Sequence, residues 1–197
     1  MKEANAFDAL VFARRGELLA VPAVVLAALG KPNALSIALG LPLAFAGEGV
    51  RAWAVGYSGV TTRGDAVTAP GLVTAGPYAY VRNPLYVGNF ITAAGFAIAF
   101  TGANGAAQRT ALIAGALGTM LAVYSIVVPH EERYLRATFG AAFDAYVEAV
   151  PRVIPRTRPA GTAAGTYDPA VIARAESRTF VTFGAMLLAL AFKAAKR

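Results

Sequence analysis

A chain of 197 residues that is 57% hydrophobic and only 15% charged has a membrane protein's composition and a single unit's length, since soluble domains carry roughly a quarter charged residues. With no cysteine and one histidine, His130, it excludes disulfides, thiolate catalysis, iron–sulfur clusters and a multi-histidine metal site, and no metal is expected. The net charge of +7 comes mostly from arginine, without aromatic–basic interleaving, and so points to membrane orientation and anionic lipid contact, not to nucleic acid.

Along the chain, Met1–Gly16 places Lys2, Arg14 and Arg15 before an apolar run, as a secretory signal would. A second apolar segment follows at once, without a small-residue cleavage site, so a retained helix is expected. Five apolar stretches stand out: Leu18–Leu29, Ala34–Gly59, Leu85–Thr101, Thr110–Pro129 and Thr179–Phe192. A helix needs about 20 residues to cross the hydrocarbon. The first reaches that length by starting near Phe12, with the stems of Arg14, Arg15 and Glu17 snorkelling. The last, about 14 residues or roughly 21 Å, spans a thinned bilayer, spans tilted, or lies in the interface.

Gly30-Lys31-Pro32-Asn33 and Gly102-Ala103-Asn104-Gly105 are tight breaks, which predict antiparallel hairpins of segments one and two and of segments three and four. The other connections are longer. Twelve Lys and Arg fall on the side that holds the N-terminus and these longer connections, against two on the other side, or five if the last segment spans. That asymmetry predicts a cytoplasmic N-terminus and cytoplasmic long loops. Arg156–Thr166, with Pro159, Gly161 and Gly165, reads as a flexible linker. The expected fold is all-α: a polytopic transmembrane bundle of about five hydrophobic helices, one domain over 1–197, with a motif-bearing core at about 48–155 and a C-terminal extension at 156–197.

Gly76-Pro77-Tyr78-Ala79-Tyr80-Val81-Arg82-Asn83-Pro84-Leu85-Tyr86-Val87-Gly88 sets a polar, helix-breaking loop directly before an apolar segment. Glycine permits a tight turn and close backbone approach, and each proline fixes φ, so Arg82 and several tyrosines are presented from a stiffened backbone. An interfacial turn with an aromatic belt accounts for the same residues. His130-Glu131-Glu132-Arg133-Tyr134-Leu135 closes the fourth segment, where Pro129 is expected to bend or end the helix. Adjacent carboxylates point to different sides, so at most one readily faces inward; the alternative is a solvated end paired with Arg133 or Arg136. One carboxylate beside tyrosine faces suits a sulfonium or ammonium centre. Glu48 and Arg51 stand at i,i+3, Arg51 about 12 Å along the helix from Gly59; they are a functional pair or a self-satisfied one that holds the bundle. His130 reads as a structural hydrogen-bonder. Gly47, Gly49, Gly115 and Gly118 are expected to permit helix contact.

Gly76-Pro77-Tyr78, then Arg82-Asn83-Pro84-Leu85-Tyr86-Val87-Gly88, a hydrophobic hairpin, and Glu131-Glu132…Leu135…Phe139-Gly140…Tyr146…Val150-Pro151-Arg152…Pro155 resemble the isoprenylcysteine carboxyl methyltransferases and the related phospholipid methyltransferases. The resemblance implies an integral-membrane methyltransferase that uses S-adenosylmethionine, enclosed at the cytoplasmic face, on a lipophilic acceptor such as an isoprenylcysteine-type carboxylate. The implied cofactor-binding residues are Gly76, Pro77, Tyr78, Arg82, Asn83, Pro84, Tyr86 and Gly88 with Glu131, Glu132, Tyr134 and Leu135. One glutamate would meet the methionine amino group. The family commonly has histidine where Asn83 stands, and an amide keeps hydrogen-bonding capacity without the imidazole.

In-line transfer from a sulfonium asks mainly for positioning and exclusion of water, and Arg82, Arg152 and Arg51 are the candidate catalytic residues for orienting a carboxylate acceptor. A prenylated protein, a phospholipid amine or a small hydrophobic metabolite all suit entry from the bilayer. Competing readings are an NADPH-dependent reductase of the sterol-reductase kind, told apart by nicotinamide-nucleotide binding, and a non-enzymatic transporter or scaffold, told apart by flux without turnover.

Overall fold

The computed structural model describes residues 6–59, 69–161 and 164–196. Lys2, Arg63 and Arg197 of the charge count lie outside them. The described elements are seven α-helices and a short 3-10 turn: α1 (Ala6–Leu29), α2 (Ala34–Ser58), the turn Gly76–Ala79, α3 (Pro84–Thr101), α4 (Ala106–Phe139), α5 (Ala141–Ala149), α6 (Ala170–Ala175) and α7 (Ser177–Ala195). Four, α2, α3, α4 and α7, are long and apolar enough to cross a membrane. The protein is an all-helical integral membrane protein.

The expected tight breaks are present and are fastened to each other. Pro32 prevents α1 from continuing. Asn33 then caps α2, its side chain accepting from Ser36 N at 2.8 Å while Ser36 Oγ accepts from Asn33 N at 3.0 Å. Asn104, in the second break, accepts from Lys31 N at 2.7 Å and donates to Leu29 O at 3.1 Å.

The helices joined by the first break do not pack as a hairpin. α2 lies on α3, and α1 lies antiparallel on α4, with Val11 and Phe12 against Val123 and Val127 and with Leu26 against Leu112 and Ala116. A seam of small residues decides the pairing. A Cβ on Gly47 would strike Thr92 and the Gly88 carbonyl, and one on Gly95 would strike Ala44 and the Gly40 carbonyl, so the α2 and α3 backbones touch. Gly49, Gly115 and Gly118, expected to serve helix contact as well, face open space.

At Pro129 an end or a bend was expected, and for the last segment a span or an interfacial position; both helices prove longer than their apolar runs. α4 does not end at Pro129; it runs 34 residues to Phe139, roughly 51 Å, and stops where Gly140 adopts φ +52°. Proline removes one backbone bond, and the following Glu, Arg, Tyr and Leu residues favour helix enough to carry it on. The helix therefore projects by about 20 Å beyond a 30 Å hydrocarbon layer. The charged half of α1 lies beside this projection, where Arg133 binds Asp8 and Phe12 meets the His130 ring at 5.4 Å.

The final apolar segment is also longer than its apolar run. α7 has 19 residues, about 28 Å, and packs Phe183, Met186 and Leu190 on Ala44, Phe96 and Phe100. At its far end Lys193 Nζ donates to Ala28 O at 2.7 Å and Gly30 O at 2.9 Å, satisfying carbonyls at the end of α1. α7 thus runs the length of the bundle, from the end that holds both motif blocks to the end that holds the tight breaks.

Candidate active site

Both motif blocks meet at one end of the bundle. Gly76 sits at φ +60°, and Tyr57 occupies the place where its Cβ would be. Pro77 opens the 3-10 turn, in which Tyr80 N donates to Pro77 O at 3.1 Å. The chain leaving the turn is tied to the second block, Arg82 N donating to Pro151 O at 2.9 Å.

Glu132 joins the blocks. Its Oε1 accepts from Arg82 Nε at 3.1 Å and Asn83 Nδ2 at 3.2 Å, and its Oε2 accepts from Arg152 Nε at 3.0 Å and Nη2 at 2.6 Å. Arg82 Nη1 also donates to Val147 O at 3.1 Å and to Val150 O, which holds the end of α5. Asn83 also donates to Arg152 O at 3.1 Å, so the amide spans two partners where the family commonly has an imidazole. Glu132 is only 6% exposed. A buried carboxylate with four donors in its reach is a structural fastening.

Glu131 points elsewhere. Both glutamates therefore have partners inside the protein, where a single inward carboxylate was expected. Glu131 Oε1 accepts from the Tyr86 hydroxyl at 2.6 Å, and the side chain lines a cavity of about 880 Å³. Tyr57, Tyr78, Tyr86, Tyr124 and Tyr146 contribute to its walls. Tyr86 and Tyr124 meet in a tilted contact, 4.5 Å between ring centroids, and the Tyr146 hydroxyl donates to Tyr78 O at 2.7 Å. Burial pushes the Tyr78 phenol up to about 12 and the Tyr146 phenol also well upward, so both remain neutral.

The described parts of the stretch expected to be a flexible linker, residues 156–161 and 164–166, are pinned beside this cavity, and residues 162 and 163 lie outside the described residues. Arg156 N donates to Tyr80 O and Ala160 N to Ala79 O, each at 2.9 Å. Ala164 O accepts from Thr74 N at 2.9 Å and Ala75 N at 3.1 Å, while Ala164 N donates to Thr74 Oγ1 at 2.9 Å. Tyr167 covers Gly56 and meets Tyr57 at 5.4 Å. Pro155 and Pro159 keep this stretch from winding into a helix, which leaves its backbone donors and acceptors available for pairing.

Deeper in the bundle lies a second, apolar cavity of about 190 Å³, walled by Pro22, Phe96, Met120, Phe183 and Met186. Leu19, Asn89, Tyr124, Thr179 and Thr182 line both cavities. A polar belt crosses their junction. Arg51 Nη1 donates to Asn89 Oδ1, and Asn89 Nδ2 donates to the Tyr124 hydroxyl at 2.8 Å. Arg51 Nη2 donates to Glu176 Oε1 at 2.9 Å and Oε2 at 2.7 Å, and to Thr179 Oγ1 at 3.3 Å. Glu48 Oε2 stands 3.8 Å from Arg51 Nε. The expected Glu48–Arg51 pairing is thus the looser of two; the close carboxylate comes from between α6 and α7.

Of the sequence-derived residues, Tyr78, Arg82, Asn83, Pro84, Tyr86, Glu131, Leu135 and Arg51 line the large cavity. Gly76, Pro77, Gly88, Glu132, Tyr134 and Arg152 do not. Gly76 and Pro77 shape the turn, and a Cβ on Gly88 would meet the Arg51 side chain and the Gly47 carbonyl. Arg152, half exposed, is held behind the cavity by Glu132. Asn89, Tyr124 and Glu176 were missed. The first two carried a signal: Asn89 follows Tyr86 by three residues, and Tyr124 precedes Glu131 by seven, each on one helix face. Among the described residues no three His, Asp or Glu side chains gather as a metal site.

These features define a helical membrane protein with a large cavity at one end of the bundle, walled by tyrosines and arginines, that shares lining residues with an apolar one within it. The phospholipid methyltransferase family model matches residues 35–142, more than half of the chain, and the protein belongs to that family. It is a membrane methyltransferase, of the broader group that includes the isoprenylcysteine carboxyl methyltransferases. No curated protein and no solved structure matches it.

Proposed function

We propose that the protein methylates a lipophilic acceptor from S-adenosylmethionine, with the donor in the large cavity and the acceptor's apolar part in the small one. The observation that carries this reading is the Glu131 carboxylate, facing a cavity of about 880 Å³ among tyrosine rings. A carboxylate and aromatic faces suit an ammonium and a sulfonium, and the volume lies in the range of cofactor sites. When bound, S-adenosylmethionine supplies an electrophilic methyl group on a cationic sulfur.

Glu131, fixed by Tyr86, binds the donor's amino group. Tyr78, Arg82, Asn83, Pro84 and Leu135 shape the remaining wall, and Gly76, Pro77 and Gly88 set the backbone that carries them. Arg82 and Arg152 act through Glu132 as positioning residues, and Tyr134 stands on α4 outside the cavity wall. The strap of residues 164–167 excludes water, which lets binding energy go into alignment of the two reactants. Arg51, Asn89 and Tyr124 stand at the junction, where an acceptor head would meet the donor. We read the whole chain as one unit, because Thr166 and Thr179 of the C-terminal extension complete the cavity wall. The lysine and arginine asymmetry supports a cytoplasmic cavity end, on the side where soluble donors are found.

An isoprenylcysteine-type carboxylate is the acceptor proposed from the sequence resemblance. Arg178, exposed on the cavity wall and one residue from Thr179 at the junction, is a cation available to meet it. The test is transfer of labelled methyl by the protein in liposomes, offering a prenylated cysteine analogue and phosphatidylethanolamine separately. A base-labile label on the analogue marks a methyl ester and supports O-methylation. A base-stable label on the lipid amine overturns the carboxylate, and no transfer to any lipophilic acceptor overturns the reading.

A further inference from the structure

The large cavity presents an electrostatic problem to a cation. Four arginines line it, Arg15, Arg51, Arg82 and Arg178, against Glu131 as the lining carboxylate among the described residues. Arg15 and Arg178 are partly or well exposed, and water and salt screen them. Arg51 and the side chain of Arg82 are buried, where a charge acts at longer range.

Each buried arginine has a carboxylate behind it that does not itself line the cavity. Arg82 has Glu132, within the family-matched region, and Arg51 has Glu176, beyond it. Glu176 is 0% exposed and built in: its N–H donates to Ile172 O and its carbonyl accepts from Phe180 N, each at 2.8 Å, which locks the junction of α6 and α7. Both its oxygens lie within 2.9 Å of Arg51 Nη2.

We propose that Glu176 is the countercharge that lets this cavity hold a sulfonium, by cancelling Arg51 from the side away from the ligand. The inference rests on the donor reading above and deepens it, because it assigns the C-terminal extension a part in discriminating the charged donor from its neutral demethylated product. Glu48, 3.8 Å from Arg51, does not alter the sign. Replacing Glu176 by glutamine removes one negative charge beside the cavity, whatever charge Glu48 carries. The loss disfavours a cation and leaves a neutral sulfide nearly untouched.

The experiment compares two ligands that differ by one methyl and one charge, S-adenosylmethionine and S-adenosylhomocysteine, on the full chain purified in detergent. The readout is the ratio of their dissociation constants, donor over product. Glu176→Gln is expected to raise that ratio by about tenfold, the size of one partly screened charge interaction. Glu176→Asp should keep the ratio near the original even if both ligands weaken, and Arg51→Gln combined with Glu176→Gln should restore it. Equal weakening of both ligands by Glu176→Gln would mark a purely structural residue and overturn the inference, as would an unchanged ratio. Should that variant not fold, Arg51→Gln alone carries the test with opposite sign, the ratio falling; a ratio that stays or rises would contradict it. Failure of the unmodified chain to bind either compound would overturn the donor reading itself, an outcome distinct from equal weakening in the variant.

Discussion

Glu131 and Glu132 are neighbours on one helix, yet they serve opposite ends. Glu132 is enclosed by Arg82, Asn83 and Arg152 and has no face toward the cavity, whereas Glu131 has one tyrosine hydroxyl and looks into it. A carboxylate surrounded by donors holds the fold together, and one left with spare acceptor capacity beside an open volume is able to take a ligand. On the proposed reading the doubled glutamate divides two tasks, one facing the cavity and one fastening the motif blocks, because successive side chains of a helix stand roughly 100° apart.

Substitution should separate the two roles. The largest effect is expected from Glu132→Ala. It strands a buried guanidinium and unfastens the two motif blocks, a loss of about 3–5 kcal/mol for breaking a buried pair, read as a lower unfolding midpoint in detergent. A midpoint unchanged from the parent would break the comparison. Glu131→Gln is expected to weaken S-adenosylhomocysteine binding by tenfold or more while the unfolding midpoint stays within the range of surface substitutions, because among the described residues its carboxylate accepts one hydrogen bond, from Tyr86. Tyr86→Phe should act in the same direction but less, about 1.5–3 kcal/mol at most for a hydrogen bond to a charged group, and without altering the fold. At the bottom of the scale, Gly115→Ala on the open face of α4 should raise stability by a few tenths to about 1 kcal/mol. Gly95→Ala, in the α2–α3 seam, should lower it.

The sequence carried the parts of this arrangement that depend on local pattern. Apolar runs placed α2 and α3 to within one residue at each end, because a membrane span is fixed by composition and bounded by Gly, Pro and Asn. The paired motif blocks mark the end of the bundle that holds the cavity, and Tyr78, Arg82 and Glu131 of those blocks line it. Pairings across the chain were not legible. Glu176 reaches Arg51 over 125 positions, and nothing in its own Arg-Ala-Glu-Ser-Arg surroundings sets it apart from a solvated charge. The packing of α2 on α3 in preference to α1 follows from a two-sided fit of small residues, which hydropathy does not register. The strap over the cavity looked like a linker for a related reason: its order comes from backbone pairing with residues 74–80, and side-chain pattern carries no trace of that.

The central claim is that Glu131 is the ligand-facing member of the pair and the cavity is an adenosyl donor site. Calorimetric titration of the purified chain with S-adenosylhomocysteine, beside Glu131→Gln and with NADPH as comparator, tests it most directly. The account expects saturable binding by the parent, a loss of tenfold or more in a folded Glu131→Gln protein, and no binding of NADPH. Parent-like affinity in that variant, or binding of NADPH in place of the adenosyl compound, would contradict it.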